Sequence, residues 1–182
     1  NKGVAQAKVD IVAILNSDDV YADNDVLGKV VGCFEQTGAD CVYGDLHYVS
    51  ADLSKVVRDW RSGTYARGQF KRGWHPPHPS FFVKRSVYEE LGGFNLELRI
   101  AADYEFMLRV MEKHGRTAAY LPKVLVKMRT GGQSNRSLAN IWNANLECYR
   151  AWRMNGYGAL TAAAAILRKP FGKLKQLRRG GQ

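Results

Sequence analysis

The sequence predicts an α/β domain with a mostly parallel central sheet, and three observations carry that prediction. Short apolar runs rich in β-branched residues alternate with helix-period stretches through the first half of the chain. Two of those runs, Ile11 to Leu15 and Asp40 to Gly44, stop abruptly at acids, the first at Asn16-Ser17-Asp18-Asp19 and the second at Asp45. Glycines then close the helical stretches, Gly38 after one and Gly92-Gly93 after another. In open α/β sheets ligands sit at the carboxyl ends of strands, so the acidic run ends are where a binding site belongs.

Composition fits one such domain. The 182 residues can bury a substantial core, and 46% hydrophobic with 24% charged residues is ordinary for a globular protein. No run of 18 or more apolar residues is present. Three scattered cysteines, Cys33, Cys41 and Cys148, form no CxxC pair. They point to reduced thiols and a cytoplasmic setting rather than a zinc site or disulfide framework. The net charge is +10, and Arg168, Lys169, Lys173, Lys175, Arg178 and Arg179 supply six positive charges without an acid. Positive charge at one end, with the aromatics inside apolar patterns, argues against nucleic-acid binding. It leaves open an anionic membrane surface, or solvent, as what the tail meets.

Each element follows from local pattern. Residues 1–8 read as the end of a helix leading into the first strand, so closely that preceding strands are expected to lie outside this sequence. Ile11 to Leu15 has the length and composition of a fully buried strand. Asp23 or Asn24 can cap a helix over Asp25 to Gln36, whose Val26, Leu27, Val30, Val31 and Phe34 fall on one face. A strand over Asp40 to Asp45 follows. Leu46 to Val49 and Lys55 to Trp60 alternate as a hairpin around Ser50-Ala51-Asp52. From Arg61 to Pro79 the density of glycine and proline predicts a long, functional loop. Ser80 to Val83 is a short strand. Ser86 and Glu89 have capping-box spacing for a helix over Val87 to Leu91. A helix over Ala102 to Lys113, strands Ala118 to Leu121 and Val124 to Met128 split by Pro122, a glycine loop at 131–134 and a helix from Leu138 to Met154 complete the chain. A division at 135/136 separates the sheet-bearing part from a C-terminal helix and basic tail.

Two carboxylate groups could carry chemistry. Asp18 and Asp19 repel one another unless a cation lies between them, and a divalent metal shared with phosphate oxygens would serve; either aspartate could equally cap a helix or close an Asx turn. Asp103 at a helix start is held as an anion by the helix dipole, or merely caps that helix, while Glu105 and Arg109 have the spacing of an i,i+4 pair. Asp45 contacts substrate or simply ends a strand. His75 and His78, without a third ligand, point to structural or acceptor-positioning roles rather than to a metal.

Six pieces in order resemble family 2 glycosyltransferases: Asn1-Lys-Gly-Val, Leu15-Asn-Ser-Asp-Asp19, His78-Pro-Ser-Phe-Phe-Val-Lys-Arg85, Leu91-Gly-Gly-Phe-Asn95, Ala102-Asp-Tyr-Glu-Phe-Met-Leu-Arg109 and Gly131-Gly-Gln-Ser134. The resemblance runs from residue 1 to about residue 155 and implies the C-terminal part of a GT-A catalytic domain. It implies transfer of a sugar, with inversion, from a UDP- or GDP-sugar to a saccharide or lipid-linked acceptor in cell-surface polysaccharide synthesis. On the family pattern the strand end is a DxD-type motif: Asp18 and Asp19 would hold Mg²⁺ or Mn²⁺, with Asn16 and Ser17 beside the donor. Asn16 stands where the fuller pattern has Asp, which leaves the metal to the other two. Asp103 matches the general base, with Ala102 replacing an acid. His78, Asp45 and Glu105 fall on the acceptor side, and Arg129, Gly132 and Ser134 on a loop that would close over the diphosphate.

A basic amphipathic tail over 168–182 would place such an enzyme on the inner face of the plasma membrane. The competing expectation is a non-catalytic or degenerate transferase piece acting as a binding module, since the strands that hold the donor's base and ribose are expected elsewhere.

Overall fold

A computed structural model describes residues 1–130 and 138–177, with the side chains of 1–130 and 139–170. After a short helix α1 (Lys2–Gln6) come β1 (Ile11–Ala13), β2 (Val20–Tyr21), α2 (Val26–Thr37), β3 (Cys41–Val49) and β4 (Val56–Trp60). Then follow β5 (Phe81–Lys84), α3 (Arg85–Leu91), α4 (Ala102–Met107), β6 (Ala118–Arg129), α5 (Leu138–Met154) and α6 (Ala159–Leu177). The α4 helix runs on without a break as a wider π-turn over Leu108–Lys113.

Among the described residues the strands form one six-stranded sheet in the order β1-β5-β3-β6-β2, with β4 on the far half of β3. The sheet is mixed, which corrects the mostly parallel expectation. Only β3 and β6 run parallel, because β5 enters antiparallel between β1 and β3, and β2 and β4 pair antiparallel at their own positions. The long β3 is the spine, and its residues 41–46 are entirely buried. Pro122 does not split β6 in two. The β3–β6 register shifts on either side of Asp45 instead, and the bulge absorbs the proline. Gly44 makes that possible, since a Cβ there would stand 2.5 Å from Leu125 Cγ and 2.8 Å from the Lys123 carbonyl oxygen.

Helices cover both faces. On one side α2 lays Val26, Val30 and Phe34 against Val42, Phe82 and Val126, as its helical period requires, and Gly38 ends it in the left-handed region at φ 65°. On the other side α3, α4, α5 and α6 share a second core in which Phe106, Met111, Trp152 and Ala165 are fully buried. The C-terminal helices α5 and α6 therefore contribute to this core.

Local caps differ from the expectations in two places. Helix α3 begins at Arg85 with no side-chain cap bond, so Ser86 and Glu89 form no capping box. The start of α2 is braced by Asp23, whose carboxylate accepts the Asp25 N–H at 2.9 Å and holds Lys29. The long loop over 61–79 contains two single 3₁₀ turns, Phe70–Arg72 and His78–Ser80. It is pinned to the π-turn by Glu112, which accepts hydrogen bonds from the Tyr65 hydroxyl and the Gly68 N–H at 2.9 Å each.

Candidate active site

The topology brings four segments to one end of the sheet. Antiparallel β5 lies between β1 and β3, so β1, β3 and β6 all point their carboxyl ends the same way, while β5 begins there. After β1 the chain must reach β2 on the opposite edge, and residues 14–19 make that journey across the strand ends. This is why the apolar run leaves the sheet after Ala13, earlier than expected; among the described residues β1 pairs with β5 alone, and within it only Val12 is buried. The turn before β5 supplies His78, and the start of α4 supplies Asp103.

Asp19 lies in the crossing segment and is only 5% exposed, whereas Asp18 beside it is open to solvent. Asn16 and Asp19 close a turn: the Asp19 N–H donates to the Asn16 carbonyl at 3.1 Å. The Asn16 side-chain amide donates to Asp19 Oδ2 at 3.0 Å. Asp19 Oδ1 is buried and has no hydrogen-bond partner among the described residues. Burial pushes the Asp19 carboxyl above its ordinary range, and the neighbouring Asp18 adds to this. Asn16, the Arg129 backbone N–H and His78 pull the other way. Neither aspartate caps α2, whose first flanking residue is Asp25.

His78 stands between the two acidic elements. Its Nδ1 is 3.8 Å from Asp103 Oδ2, and its ring meets Phe94 edge-on at 6.0 Å. Burial holds the imidazole below its ordinary pKa and therefore neutral near pH 7, while Asp103 and then Asp19 draw it upward. Asp103 falls in the first turn of α4 without capping it, because the flanking residue there is Ala101. Its carboxylate is 39% exposed and opens into a cavity of about 460 Å³ that also takes in Asn16 and His78.

The cavity walls also hold Tyr48, Trp60 and Tyr104, which the sequence did not single out, beside His75. Tyr48 and Trp60 stack at 6.3 Å with their planes 5° apart. His75 meets Trp60 edge-on at 5.3 Å and Tyr104 at 5.4 Å. The result is a row of four rings along one side, with Arg58 over both Tyr48 and Trp60. Trp60 Nε1 is buried without an acceptor among the described residues. The alternation of the hairpin was the available signal, since the register Leu46↔Trp60 puts this ring beside the end of β3. Arg99 also lines the space.

Asp45 and Glu105 do not line this cavity, which corrects their acceptor-side assignment. Asp45 lies within β3 and is fully buried. Its Oδ1 accepts the Ser62 N–H and the Tyr120 hydroxyl at 2.8 Å each, and Arg61 reaches Oδ2 at 3.2 Å. Glu105 is buried against Arg109 at 2.9 Å and against the Asn155 amide at 2.9 Å. Arg109 in turn donates to the carbonyls of Leu91, Gly92 and Gly93. Both carboxylates hold loops to the core. Arg129 ends β6 with its backbone beside Asp19, while Gly132 and Ser134 fall outside the described residues.

As a metal site the residues fit in part. The unpartnered Asp19 Oδ1 is an oxygen donor of the kind Mg²⁺ and Mn²⁺ prefer. No three His, Cys, Asp or Glu side chains cluster among the described residues, so an ion here would take its remaining ligands from phosphate or water.

A mixed sheet with helices on both faces and acids gathered at the strand ends fits the GT-A fold. Residues 1–92 match Glycosyl transferase family 2, and the chain belongs to that family. It is 29% identical over 139 residues to a PGL/p-HBAD biosynthesis glycosyltransferase of Mycobacterium bovis, a match covering 74% of this chain and 51% of that protein. The corresponding Mycobacterium tuberculosis protein matches equally. The chain thus spans about half the length of the curated relatives it matches. Among solved structures, S. aureus TarS in complex with UDP-GlcNAc superposes with a TM-score of 0.64 at 13% identity, over 100% of this chain and 53% of TarS. The Pyrobaculum calidifontis mannosyltransferase PcManGT, in complex with GDP-Man and Mn²⁺, superposes at 0.52 with 17% identity, over 100% of this chain and 54% of its own.

Proposed function

We propose that the protein is a metal-dependent, inverting glycosyltransferase that moves a sugar from a nucleoside diphosphate to a hydroxyl of a saccharide or lipid-linked acceptor in cell-surface polysaccharide synthesis. The observation that carries this reading is the arrangement at the strand ends, where His78 and the open Asp103 carboxylate line one cavity with Asn16, whose side chain holds the buried Asp19 and leaves its Oδ1 unpartnered among the described residues. The UDP-GlcNAc held by TarS and the GDP-Man and Mn²⁺ held by PcManGT support a nucleotide-sugar donor and a divalent ion.

Asp103 takes the proton of the acceptor hydroxyl, and that oxygen attacks the anomeric carbon on the side opposite the diphosphate. A positioned base of this kind contributes about 10²–10⁴ in rate. His78, neutral and close to Asp103 Oδ2, orients the carboxylate and the acceptor. The row of Tyr48, Trp60 and His75 gives a sugar ring a flat apolar face, and Trp60 Nε1 retains a donor for one of its oxygens. Asp19 Oδ1, with Asp18 in front of it, would hold Mg²⁺ or Mn²⁺ against the diphosphate, and Asn16 keeps Oδ1 free by occupying Oδ2. When bound, that ion neutralises the charge that develops on the leaving diphosphate.

The test is Mn²⁺-dependent release of nucleoside diphosphate from a panel of UDP- and GDP-sugars with saccharide and lipid-linked acceptors. The expected result is turnover that falls by about 10²–10⁴ in Asp103→Asn with unchanged melting temperature. Turnover by Asp103→Asn at the wild-type rate would overturn the assignment of the base.

A further inference from the structure

Two acid-free stretches of the sequence meet on one face of the protein. No Asp or Glu occurs between Asp59 and Glu89, and Glu147 is the last acid of the chain. The fold joins these stretches by laying α6 across the 3₁₀ turn Phe70–Arg72. Gly73, at φ 84°, lies so close beneath α6 that a Cβ would stand 2.6 Å from the Arg168 backbone. Arg168 Nη1 donates to the Lys71 carbonyl at 3.2 Å. As a result the exposed side chains of Arg67, Lys71 and Arg72 come beside exposed Arg168. The salt bridges that arginines and lysines make among the described residues lie elsewhere, on Lys29, Arg61, Arg85, Arg109 and Arg116.

The same helix carries an outward apolar face. Its inner residues Ala162 and Ala165 are fully buried, yet Leu160 and Leu167, seven residues apart and so on one side of the helix, are 88% and 73% exposed. Water is a poor partner for two leucines beside four cations that no carboxylate pairs among the described residues. A surface that presents negative charge over an apolar interior complements both at once. Among the described residues no helix is long and apolar enough to cross a membrane, so the contact is one of docking.

We infer that the face formed by α6 and residues 67–72 docks on an anionic lipid surface, with the basic side chains among the headgroups and Leu160 and Leu167 at the acyl boundary. This rests on charge and exposure alone and is independent of the transferase reading.

The experiment is flotation of the full chain with phosphatidylcholine vesicles and with vesicles that also contain phosphatidylglycerol, at low and high salt. The wild type is expected to float with the anionic vesicles and to be released by salt, because the attraction fades within a Debye length. Two variants, both checked for fold by circular dichroism, separate the contributions. The triple change Arg67→Glu, Lys71→Glu, Arg72→Glu should weaken binding at least about tenfold, and Leu160→Ser with Leu167→Ser should reduce the bound fraction at low salt. Failure to float, equal flotation with neutral vesicles, or wild-type binding by the charge-reversed variant would overturn the inference. So would unchanged flotation of the leucine variant together with equally tight binding to soluble polyphosphate, which would mark a general polyanion surface.

Discussion

Two buried aspartates at the same sheet have opposite surroundings. Asp45, inside β3, is fully buried and shares its oxygens among Ser62, Tyr120 and Arg61. Asp19, in the segment that crosses the strand ends, is almost as buried but has only the Asn16 side chain and the Arg129 backbone N–H beside it, and its Oδ1 has no hydrogen-bond partner among the described residues. A buried carboxylate without partners is costly unless something external completes it. The difference teaches that burial alone does not separate structural from functional acids here, whereas the state of their second oxygen does. Glu105, saturated by Arg109 and Asn155, belongs with Asp45.

That contrast can be broken by substitution. Glu105→Ala strands the buried Arg109 guanidinium and should lower stability by about 3–5 kcal/mol in urea unfolding. Asp45→Ala leaves the Ser62 N–H and the Tyr120 hydroxyl without an acceptor and should cost about 1–3 kcal/mol for each. The Tyr120 hydroxyl, held up to about 12 by burial and by its bond to Asp45, should then titrate at lower pH. Asp19→Asn should behave in the opposite way, changing stability by less than about 1 kcal/mol or raising it, since it removes a buried charge rather than a partner. Equal destabilisation by Asp19→Asn and Asp45→Ala would erase the distinction.

Smaller effects sharpen it through pH. The Asp19 pKa is raised in the fold, so the folded state binds the extra proton and stability falls as pH rises through the window between the unfolded and the raised value. The His78 pKa is lowered, so the unfolded state binds the extra proton and stability falls as pH drops below the ordinary histidine range. Melting temperature against pH should lose the first slope in Asp19→Asn and the second in His78→Gln. Unaltered slopes would place the ionisations elsewhere.

Much of this was legible in the sequence because local physics decides it. The helical period of Val26, Val30 and Phe34 and the stop at Gly38 gave α2 nearly to the residue, and alternation gave the β3–β4 hairpin. Strand direction was not legible. An apolar run reads the same whether its neighbour is parallel or not, and the insertion of β5 beside β1 is a long-range choice that no window contains. The same limit governs the site. Asp19 and Asp103 stood out by residue type and order, but the sequence could not show that Asp45 would meet Tyr120, 75 positions away, and be consumed by structure. Trp60 read only as the end of a hairpin strand, and His75 as structural or acceptor-positioning, until the fold put their rings edge to face beside Asp103.

The most direct test of the central claim is the thermal shift produced by Mn²⁺ with UDP or GDP in the wild type and in Asp19→Asn. Because only two adjacent carboxylates are offered there among the described residues, Mn²⁺ alone should stabilise little, while Mn²⁺ with the nucleotide should raise the wild-type melting temperature clearly. That gain should grow as Asp19 ionises with rising pH and vanish in Asp19→Asn. An equal shift in both proteins would contradict the account, because the unpartnered oxygen at the strand ends would then not be the ligand.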